Sequence, residues 1–333
     1  MARPADFRRA LPPGACFSEW RAADGWPLRR FDLPAKAGAR RGAILFQGGR
    51  GDIVEKYLEL IAYWHDAGWA VTSFDWRGQG GSGRLLAERH VGHIDTFDSY
   101  IRDYRAFYAA WAGEAAGPRV AIGHSMGGHL VLRALVERAA TPDAAVLVAP
   151  MLGLHSPIGA WGGERLAGLM CRTGDPARLA WKVNEIPAAQ ATRQALLTHD
   201  AARYADEIWW RETDPDLAMG PPSWQWLREA FASTRRLRTD PRLASMTVPT
   251  LMLVAEADKL VRARSALAIA ARLPDCEVVR FGQESAHEIL READPVRDRA
   301  IAAIDSFLDA RAAPGRTSRA LHPDEGGDGS EHQ

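Results

Sequence analysis

Short apolar runs that end in turn-forming residues alternate with helix-like stretches along this chain. The apolar runs are GAILFQGG (42–49), WAVTSFDWRG (69–78), RVAIGHS (119–125), AAVLVAP (144–150), VPTLMLVAEAD (248–258) and CEVVRFG (276–282). The helix-like stretches are VEKYLELIAYWHDAG (54–68), SYIRDYRAFYAAWAG (99–113) and MGGHLVLRALVERAA (126–140). Because a strand covered on both faces is apolar throughout, this alternation predicts a parallel sheet with helices on both faces.

Residues 151–247 separate the fourth apolar run from the fifth, which is far more chain than one crossover helix requires. We therefore predict a helical cap, residues 151–235, inserted between two parts of a core domain, residues 16–150 and 236–310. Six of the twelve tryptophans lie in this insert: Trp161, Trp181, Trp209, Trp210, Trp224 and Trp226. They indicate either a small core of the cap itself or a lid with an apolar inner wall. In the second case the candidate substrate-binding residues are Trp161, Trp209, Trp210 and Trp224.

Charge and composition exclude several classes of partner. The 42 basic residues balance the 42 acidic ones, so the chain has no overall field that would attract nucleic acid or hold it on a membrane. We expect no nucleic-acid partner and at most a transient peripheral contact with a membrane. The two ends, residues 1–15 and 311–333, have little apolar surface to bury, so we expect a flexible N-terminus and a disordered tail.

The cysteines and the apolar segments indicate a compartment. Cys16, Cys171 and Cys276 are far apart and odd in number, which fits neither a disulfide framework nor a zinc site. The N-terminal segment has no apolar core of signal-peptide length, and nowhere is an apolar run long enough to cross a bilayer. We expect a cytoplasmic protein.

One serine lies between two glycines in Gly123-His124-Ser125-Met126-Gly127, which fits the G-x-S-x-G pattern of a nucleophile on a sharp strand-to-helix turn. The alternative is an ordinary serine in a glycine-rich loop. A strand-like run precedes the motif and a helix-like stretch follows it, as such a turn demands. Small residues let strand and helix approach closely, and a helix N-terminus favours developing negative charge. The context therefore favours a nucleophilic Ser125.

A serine hydroxyl is a weak nucleophile at neutral pH, so it needs a histidine base and a carboxylate that fixes the tautomer of that base. Asp258 ends the apolar run that follows the insert, and His287 lies between the last apolar run and the final helix-like stretch. Glu256 competes as the acid, and Asp258 could instead cap a helix. We favour Asp258 because it lies beyond the strand end, where functional groups of open sheets collect.

An oxyanion hole requires two backbone N–H donors near the nucleophile. One is expected from Met126, directly after the serine, and the other from the loop after the first parallel strand. The segment LFQGGRGD supplies that loop, so Gly49 is the predicted second donor.

With these residues placed, the chain resembles the serine α/β-hydrolases, and within them the lysophospholipase L2 and monoacylglycerol lipase group. The resemblance covers about residues 17–310 and is carried by FDWRGQGGSG, GHSMGG and LTHDAARYADEIWWRETDPDLAMGPPSWQWLREA. It implies an α/β-hydrolase fold with an eight-stranded, mostly parallel sheet and the catalytic triad Ser125, Asp258 and His287. It also implies the oxyanion donors Gly49 and Met126, and no cofactor or metal.

The resemblance implies a serine hydrolase that cleaves carboxylic esters of single-chain lipids through an acyl-enzyme on Ser125. A monoacylglycerol lipase, a general carboxylesterase and a non-catalytic lipid-binding homologue are the alternatives. One departure concerns the oxyanion loop, where relatives commonly have His-Gly and this chain has Gln47-Gly48. For a phosphate-bearing head group, the insert offers Arg165, Arg172, Arg178 and Arg193 as candidate partners.

Overall fold

The computed structural model describes residues 5–38, 41–181 and 193–313, and its centre is one eight-stranded sheet. The strands are β1 (Cys16–Arg21), β2 (Pro27–Leu33), β3 (Gly42–Gln47), β4 (Trp69–Phe74), β5 (Arg119–His124), β6 (Ala144–Val148), β7 (Thr250–Ala255) and β8 (Cys276–Phe281). Their order is β1-β2-β4-β3-β5-β6-β7-β8. β1 pairs antiparallel with β2 and β2 with β4, whereas all the other neighbours are parallel. The predicted eight-stranded, mostly parallel sheet is confirmed.

Helices cover both faces of this sheet, and further helices form the N-terminal segment and the insert. The helices are α1 (Ala5–Arg8), α2 (Leu58–Asp66), α3 (Phe97–Glu114), α4 (Met126–Val136), α5 (Gly159–Thr173), α6 (Ala201–Thr213), α7 (Trp224–Thr239), α8 (Ala263–Ala270) and α9 (Asp294–Arg311). Along β3, Leu45 faces a cluster built with α3, α4 and α8, and its neighbour Ile44 faces a second cluster built with α2 and α9. Because successive side chains of a strand point to opposite faces, a strand buried between two helical layers must be apolar throughout.

The insert between β6 and β7 contains α5, α6 and α7. α5 packs closely on α7, since a Cβ added to Gly163 would lie 2.7 Å from the ring of Phe231. α7 also places Trp226 in the cluster that it shares with α3 and α4, so the insert rests directly on the core domain. α7 begins after Ser223, whose side chain caps it, and continues to Thr239. The predicted end of the cap at residue 235 therefore falls inside α7, because the residues RRLRT (235–239) continue this helix. Asp240 then begins the next helical turn, whose N-terminus its side chain caps.

The two chain ends are partly packed. The described part of the N-terminal segment contains α1, whose buried Arg8 pairs with Asp206 of α6. Local composition does not reveal this ion pair with a distant carboxylate, and the expected flexibility of residues 1–15 stays a prediction. The predicted tail begins at Arg311, the last residue of α9, and the next residue, Ala312, is still buried. Residues 314–333 lie outside the described residues.

Candidate active site

Ser125 lies on the sharp turn between β5 and α4. Its φ of 53° and ψ of −118° are values that residues other than glycine rarely adopt. The turn fits only because small residues flank it. A Cβ on Gly123 would lie 2.7 Å from the backbone of Gly127, and a Cβ on Gly127 would lie 2.4 Å from the carbonyl oxygen of Gly48. The backbone thus holds Ser125 at the end of β5 in a conformation that the two glycines permit.

Three side chains from distant parts of the chain form one hydrogen-bonded series. His287 Nε2 lies 2.8 Å from Ser125 Oγ, and His287 Nδ1 lies 2.5 Å from Asp258 Oδ2. The other oxygen of Asp258 accepts hydrogen bonds from the backbone N–H groups of Leu260 at 2.7 Å and Val261 at 3.0 Å. Ser125 is 8% exposed, Asp258 6% and His287 3%. The residues predicted as nucleophile, acid and base are therefore in contact and largely screened from solvent.

Burial opposes the charged forms of both His287 and Asp258, but each stabilises the charge of the other. Burial lowers the pKa of His287, whereas the nearby Asp258 carboxylate and its hydrogen bond more than compensate and raise it above the ordinary 6.5. Burial raises the pKa of Asp258, whereas His287 and two backbone N–H donors bring it below the ordinary 3.8. An ionised carboxylate beside a basic imidazole is the combination that can accept a proton from Ser125 Oγ.

The competing acid, Glu256, has a different partner. Its carboxylate accepts a hydrogen bond from Arg280 Nε at 2.7 Å, and its side chain is 41% exposed. Glu256 therefore forms a surface ion pair, and Asp258 is the acid in contact with the histidine.

The two predicted oxyanion donors differ in their surroundings. Met126 is the first residue of α4, where a backbone N–H has no carbonyl partner within the helix. Gly49 borders the nucleophile, since a Cβ added to it would lie 2.9 Å from Ser125 Cβ. However, the Gly49 N–H donates to Asp52 Oδ2 at 2.6 Å. In this structure the side chain of Asp52 folds back on the loop and accepts this hydrogen bond, and the assignment of Gly49 as the second oxyanion donor stays a prediction.

A polar network lies behind Ser125. His124 Nδ1 lies 2.9 Å from the hydroxyl of Tyr57 and 3.2 Å from Asp52 Oδ2, and its Nε2 lies 3.4 Å from the carbonyl oxygen of His287. The Tyr57 hydroxyl also donates to Asp52 Oδ2 at 2.7 Å. The residue before the nucleophile therefore connects the loop after β3 to the loop that carries the histidine. Within the motif, nothing in the sequence indicates this role of His124.

Charged groups continue this network towards the cap. Lys56 Nζ lies 2.6 Å from Asp52, 3.0 Å from Glu207 of α6 and 2.5 Å from Glu288, the residue after His287. Arg291 pairs with both Glu288 and Glu207. These five residues form the buried ionic cluster, in which no side chain is more than 7% exposed. It joins the loop after β3, the histidine loop and the cap.

The charges of the buried ionic cluster sustain one another. Burial raises the pKa values of its three carboxyl groups, but the adjacent cations outweigh burial and hold all three below their ordinary values. Burial lowers the pKa of Lys56, but the carboxylates outweigh it and raise that pKa above the ordinary 10.5. Sequence reasoning missed this cluster. Its only local signals are the spacings from Asp52 to Lys56 and from Glu288 to Arg291, which do not reveal that the segments meet.

The cap tryptophans differ in exposure and in what they contact. Trp161 is 71% exposed, and Trp209 and Trp210 contact each other, with Arg9 of the N-terminal segment beside Trp209. Trp224, at the start of α7, is partly buried. Trp161 thus faces solvent and Trp209 contacts the N-terminal segment, and the role of the four candidate tryptophans in substrate binding stays a prediction. Trp226, which was not among the candidates, is buried in the core.

In residues 5–38, 41–181 and 193–313, no group of three or more histidine, cysteine, aspartate or glutamate side chains is arranged to hold a metal ion. None of the helices described there is long and apolar enough to cross a membrane.

Known proteins share this sequence pattern and fold. The family model described as serine aminopeptidase, S33, matches residues 38–294. The chain is 29% identical over 322 residues to lysophospholipase L2 of Escherichia coli strain K12, covering 89% of this chain and 88% of that protein. A soluble variant of monoglyceride lipase from Saccharomyces cerevisiae, solved with a substrate analogue, superposes with a TM-score of 0.71 at 16% identity, covering 91% of this chain and 97% of that one. For monoacylglycerol lipase of Paleococcus ferrophilus the TM-score is 0.66 at 20% identity, with 85% and 98% covered.

Proposed function

The chain belongs to the serine aminopeptidase S33 family of α/β-hydrolases, and on that premise we propose that it is a lysophospholipase acting through an acyl-enzyme on Ser125. The observation that carries the proposal is the series Ser125, His287 and Asp258, with 2.8 Å between the serine Oγ and the imidazole Nε2. Nucleophilic serine catalysis requires this combination of groups in hydrogen-bond contact. The substrate is a carboxylic ester of a lipid with one acyl chain.

The proposed reaction proceeds by acyl transfer. His287 Nε2 accepts the proton of Ser125 Oγ as the oxygen attacks the ester carbonyl, and Asp258 holds the other ring nitrogen in place. The N–H of Met126 and the N-terminus of α4 stabilise the negative charge on the carbonyl oxygen. His287 then gives its proton to the departing alcohol, and water releases the acyl group by the same steps in reverse.

Two observations favour a lipid ester over other substrates of the family. The Escherichia coli relative, aligned over most of both chains, is named a lysophospholipase. Ser125 is only 8% exposed, which favours a narrow ligand such as one acyl chain over two chains or a folded peptide. Each buried methylene of such a chain contributes about 0.8 kcal/mol, so affinity rises with chain length.

An exposed face of α5 suits a protein that takes its substrate from lipid aggregates. The α5 surface consists of Ile158, Trp161, Leu166 and Leu169, which are 58%, 71%, 40% and 55% exposed, together with the exposed Arg165 and Arg172. Apolar and basic side chains on one helix face are typical of peripheral contact with an anionic lipid surface. Transient membrane contact through the cap is therefore part of the proposal.

The test is a comparison of kcat/KM between substrates. Purified protein is assayed with palmitoyl lysophosphatidylcholine, monopalmitoylglycerol, dipalmitoyl phosphatidylcholine, nitrophenyl butyrate and alanine nitroanilide. We expect lysophosphatidylcholine to have the highest kcat/KM, monopalmitoylglycerol to follow, and the two-chain lipid and the anilide to be poor substrates.

Other orders would identify the alternatives. If kcat/KM is highest for monopalmitoylglycerol, the protein is a monoacylglycerol lipase and the lysophospholipase proposal is wrong. Efficiency that does not rise with acyl length would indicate a general carboxylesterase, and hydrolysis of the anilide alone an aminopeptidase.

A further inference from the structure

Arg50 lies in the loop after β3, which borders the proposed nucleophile, and it has no carboxylate partner among the described residues. It follows Gly49, whose Cα borders the side chain of Ser125. Its Nη2 donates to the carbonyl oxygen of Gly220 at 2.7 Å, and its guanidinium lies 5.1 Å from the centre of the Trp226 ring. Its Nε is buried and has no hydrogen-bond partner among the described residues. Within those residues, no carboxylate comes within ion-pair distance of it.

Two further arginines add positive charge at this place. Arg211 donates to the carbonyl oxygen of Gly51 at 3.2 Å, and its Nε is also buried without a partner among the described residues. Arg211 and Arg193 pair with the same oxygen of Glu207, at 2.8 and 2.7 Å. That carboxylate already belongs to the buried ionic cluster, so it cannot neutralise both arginines. The loop after β3 therefore lies beside an excess of cations.

The electrostatics of Arg50 agree with this excess. Burial, with the positive charges of Arg193 and Arg211 adding to it, lowers the pKa of Arg50 to about 10. Arg50 still carries its charge at neutral pH. A confined, unpaired guanidinium is costly, and an incoming anion would offset that cost.

We propose that Arg50, with Arg193 and Arg211 beside it, binds the phosphate of the substrate's head group. This inference rests on the proposed function. The planar guanidinium presents several donors in the geometry that a phosphate accepts, and a phosphodiester pairs with them without needing a proton. In a single-chain phospholipid only the glycerol unit separates the ester carbonyl from the phosphate. A phosphate subsite must therefore lie close to the nucleophile, and Arg50 directly follows Gly49, the residue that borders Ser125.

The other arginines that the sequence offered for this role are placed differently. Arg165, Arg172 and Arg178 are all exposed, and Arg165 lies over the ring of Trp161 on the α5 surface. Exposed cations gain little from a single anion because water screens them. Of the four sequence candidates, only Arg193 belongs to the proposed subsite.

The first test uses two substrates that differ in the phosphate. kcat/KM is measured for palmitoyl lysophosphatidylcholine and for monopalmitoylglycerol with the wild type, Arg50→Met and Arg50→Lys. We expect the ratio of the two kcat/KM values to fall by about 10- to 100-fold in Arg50→Met, the range for a lost charged hydrogen bond. In Arg50→Lys this ratio should fall less, because lysine keeps the positive charge. An equal loss on both substrates, or no loss on either, would overturn the proposal.

A matched control separates binding from support of the backbone. Arg84 donates to the carbonyl oxygens of Asp216 and Ala218, in the same segment that Arg50 holds through Gly220. Arg84→Met should leave unchanged the ratio of kcat/KM for lysophosphatidylcholine to kcat/KM for monopalmitoylglycerol. A fall in the ratio equal to that of Arg50→Met would show that Arg50 acts only by holding this segment.

A second test does not depend on lysophospholipid cleavage. Glycerophosphocholine is used as an inhibitor of nitrophenyl butyrate hydrolysis, with glycerol as the phosphate-free comparison. We expect competitive inhibition of the wild type by glycerophosphocholine, and an inhibition constant about tenfold or more weaker in Arg50→Met. Equal constants in the two proteins would refute the subsite. A wild type that binds glycerophosphocholine but cleaves no lysophospholipid would refute the proposed function alone.

Discussion

Lys56 and Glu288 form a buried ion pair, with 2.5 Å between Nζ and Oε1. Glu288 is the residue directly after His287 in the chain. Lys56 also pairs with Asp52, which accepts the Gly49 N–H, and with Glu207 of the cap. One cation thus connects the loop beside the nucleophile, the loop of the base and the cap. The relative positions of Ser125 and His287 therefore depend on the ion pairs of Lys56, although neither residue contacts Lys56 itself.

Removal of this cation should destabilise the fold strongly. In Lys56→Met three buried carboxylates lose their shared counter-ion, and we expect the free energy of unfolding to fall by about 3–5 kcal/mol. Urea unfolding followed by circular dichroism measures this. The control is Lys36→Met, because Lys36 pairs with Asp66 at 2.7 Å on the surface, with the two side chains 50% and 44% exposed. Lys36→Met should lower the free energy of unfolding by less than about 1 kcal/mol. Equal losses would mean that the buried ionic cluster contributes no more than a surface pair.

Replacement of the nucleophile should remove activity without affecting the fold. Ser125→Ala deletes one hydroxyl, and we expect no detectable ester hydrolysis and no labelling by a fluorophosphonate, with an unchanged unfolding midpoint in urea. Labelled wild-type protein is detected by mass spectrometry. Labelling of the variant would place the nucleophile elsewhere. A wild type that neither reacts nor hydrolyses esters would support the non-catalytic, lipid-binding alternative.

The two candidate acids can be separated by isosteric substitutions. Asp258 contacts His287, whereas Glu256 pairs with Arg280 on the surface. We expect Asp258→Asn to lower kcat by about 10⁴-fold, since the amide no longer holds the imidazole in the active tautomer. Glu256→Gln should stay within about twofold of the wild type, because a surface pair contributes little. Steady-state rates on nitrophenyl butyrate decide the matter, and a damaging Glu256→Gln with a mild Asp258→Asn would reverse the assignment.

The pH dependence should reveal the same contact. His287 must be neutral to accept a proton, and Asp258 raises its pKa above 6.5 even though burial acts in the opposite direction. We therefore expect kcat/KM for a neutral soluble ester to rise with pH through a midpoint above 6.5. In Asp258→Asn the largest cause that raises this pKa is gone and only the weaker effects of Glu288 and Asp52 remain, so the midpoint of the residual activity should move to lower pH. Glu256→Gln serves as the control with an unshifted midpoint, and identical midpoints in all three proteins would contradict the contact.

Much of this arrangement could be predicted from the sequence because it depends on local rules. Apolar runs mark the central strands, and parallel strands bring their carboxyl ends to one edge, where Ser125 and Asp258 both lie. β1 and β2 are not among the apolar runs, because these two strands at the edge of the sheet are only partly buried and need not be apolar throughout. The resemblance, not the pattern, supplied the full strand number.

Features that depend on the direction of single side chains could not be predicted. The loop containing Gly49 was correctly located next to Ser125, but nothing local shows that Asp52 turns back to bind its N–H. Tryptophan content indicated a cap, yet it could not distinguish the exposed Trp161 from the buried Trp226. From the sequence, Arg50 resembles any loop arginine, and only its contacts show that it pairs with no carboxylate in the part of the chain that the structure describes.

The α5 surface should bind lipid independently of the chemistry at Ser125. Leu169 is 55% exposed, and Leu169→Glu would place a charge where an apolar side chain is expected to enter the membrane interface. We expect binding to vesicles of phosphatidylglycerol and phosphatidylcholine, measured by sedimentation, to weaken about tenfold or more, the value for one lost apolar contact. The control is Val278→Glu, since Val278 is 38% exposed on β8, at the edge of the sheet. Turnover of monomeric nitrophenyl butyrate should be the same in both variants, because both residues are exposed and neither contacts the triad. Equal vesicle binding by the two would show that the cap face does not contact lipid.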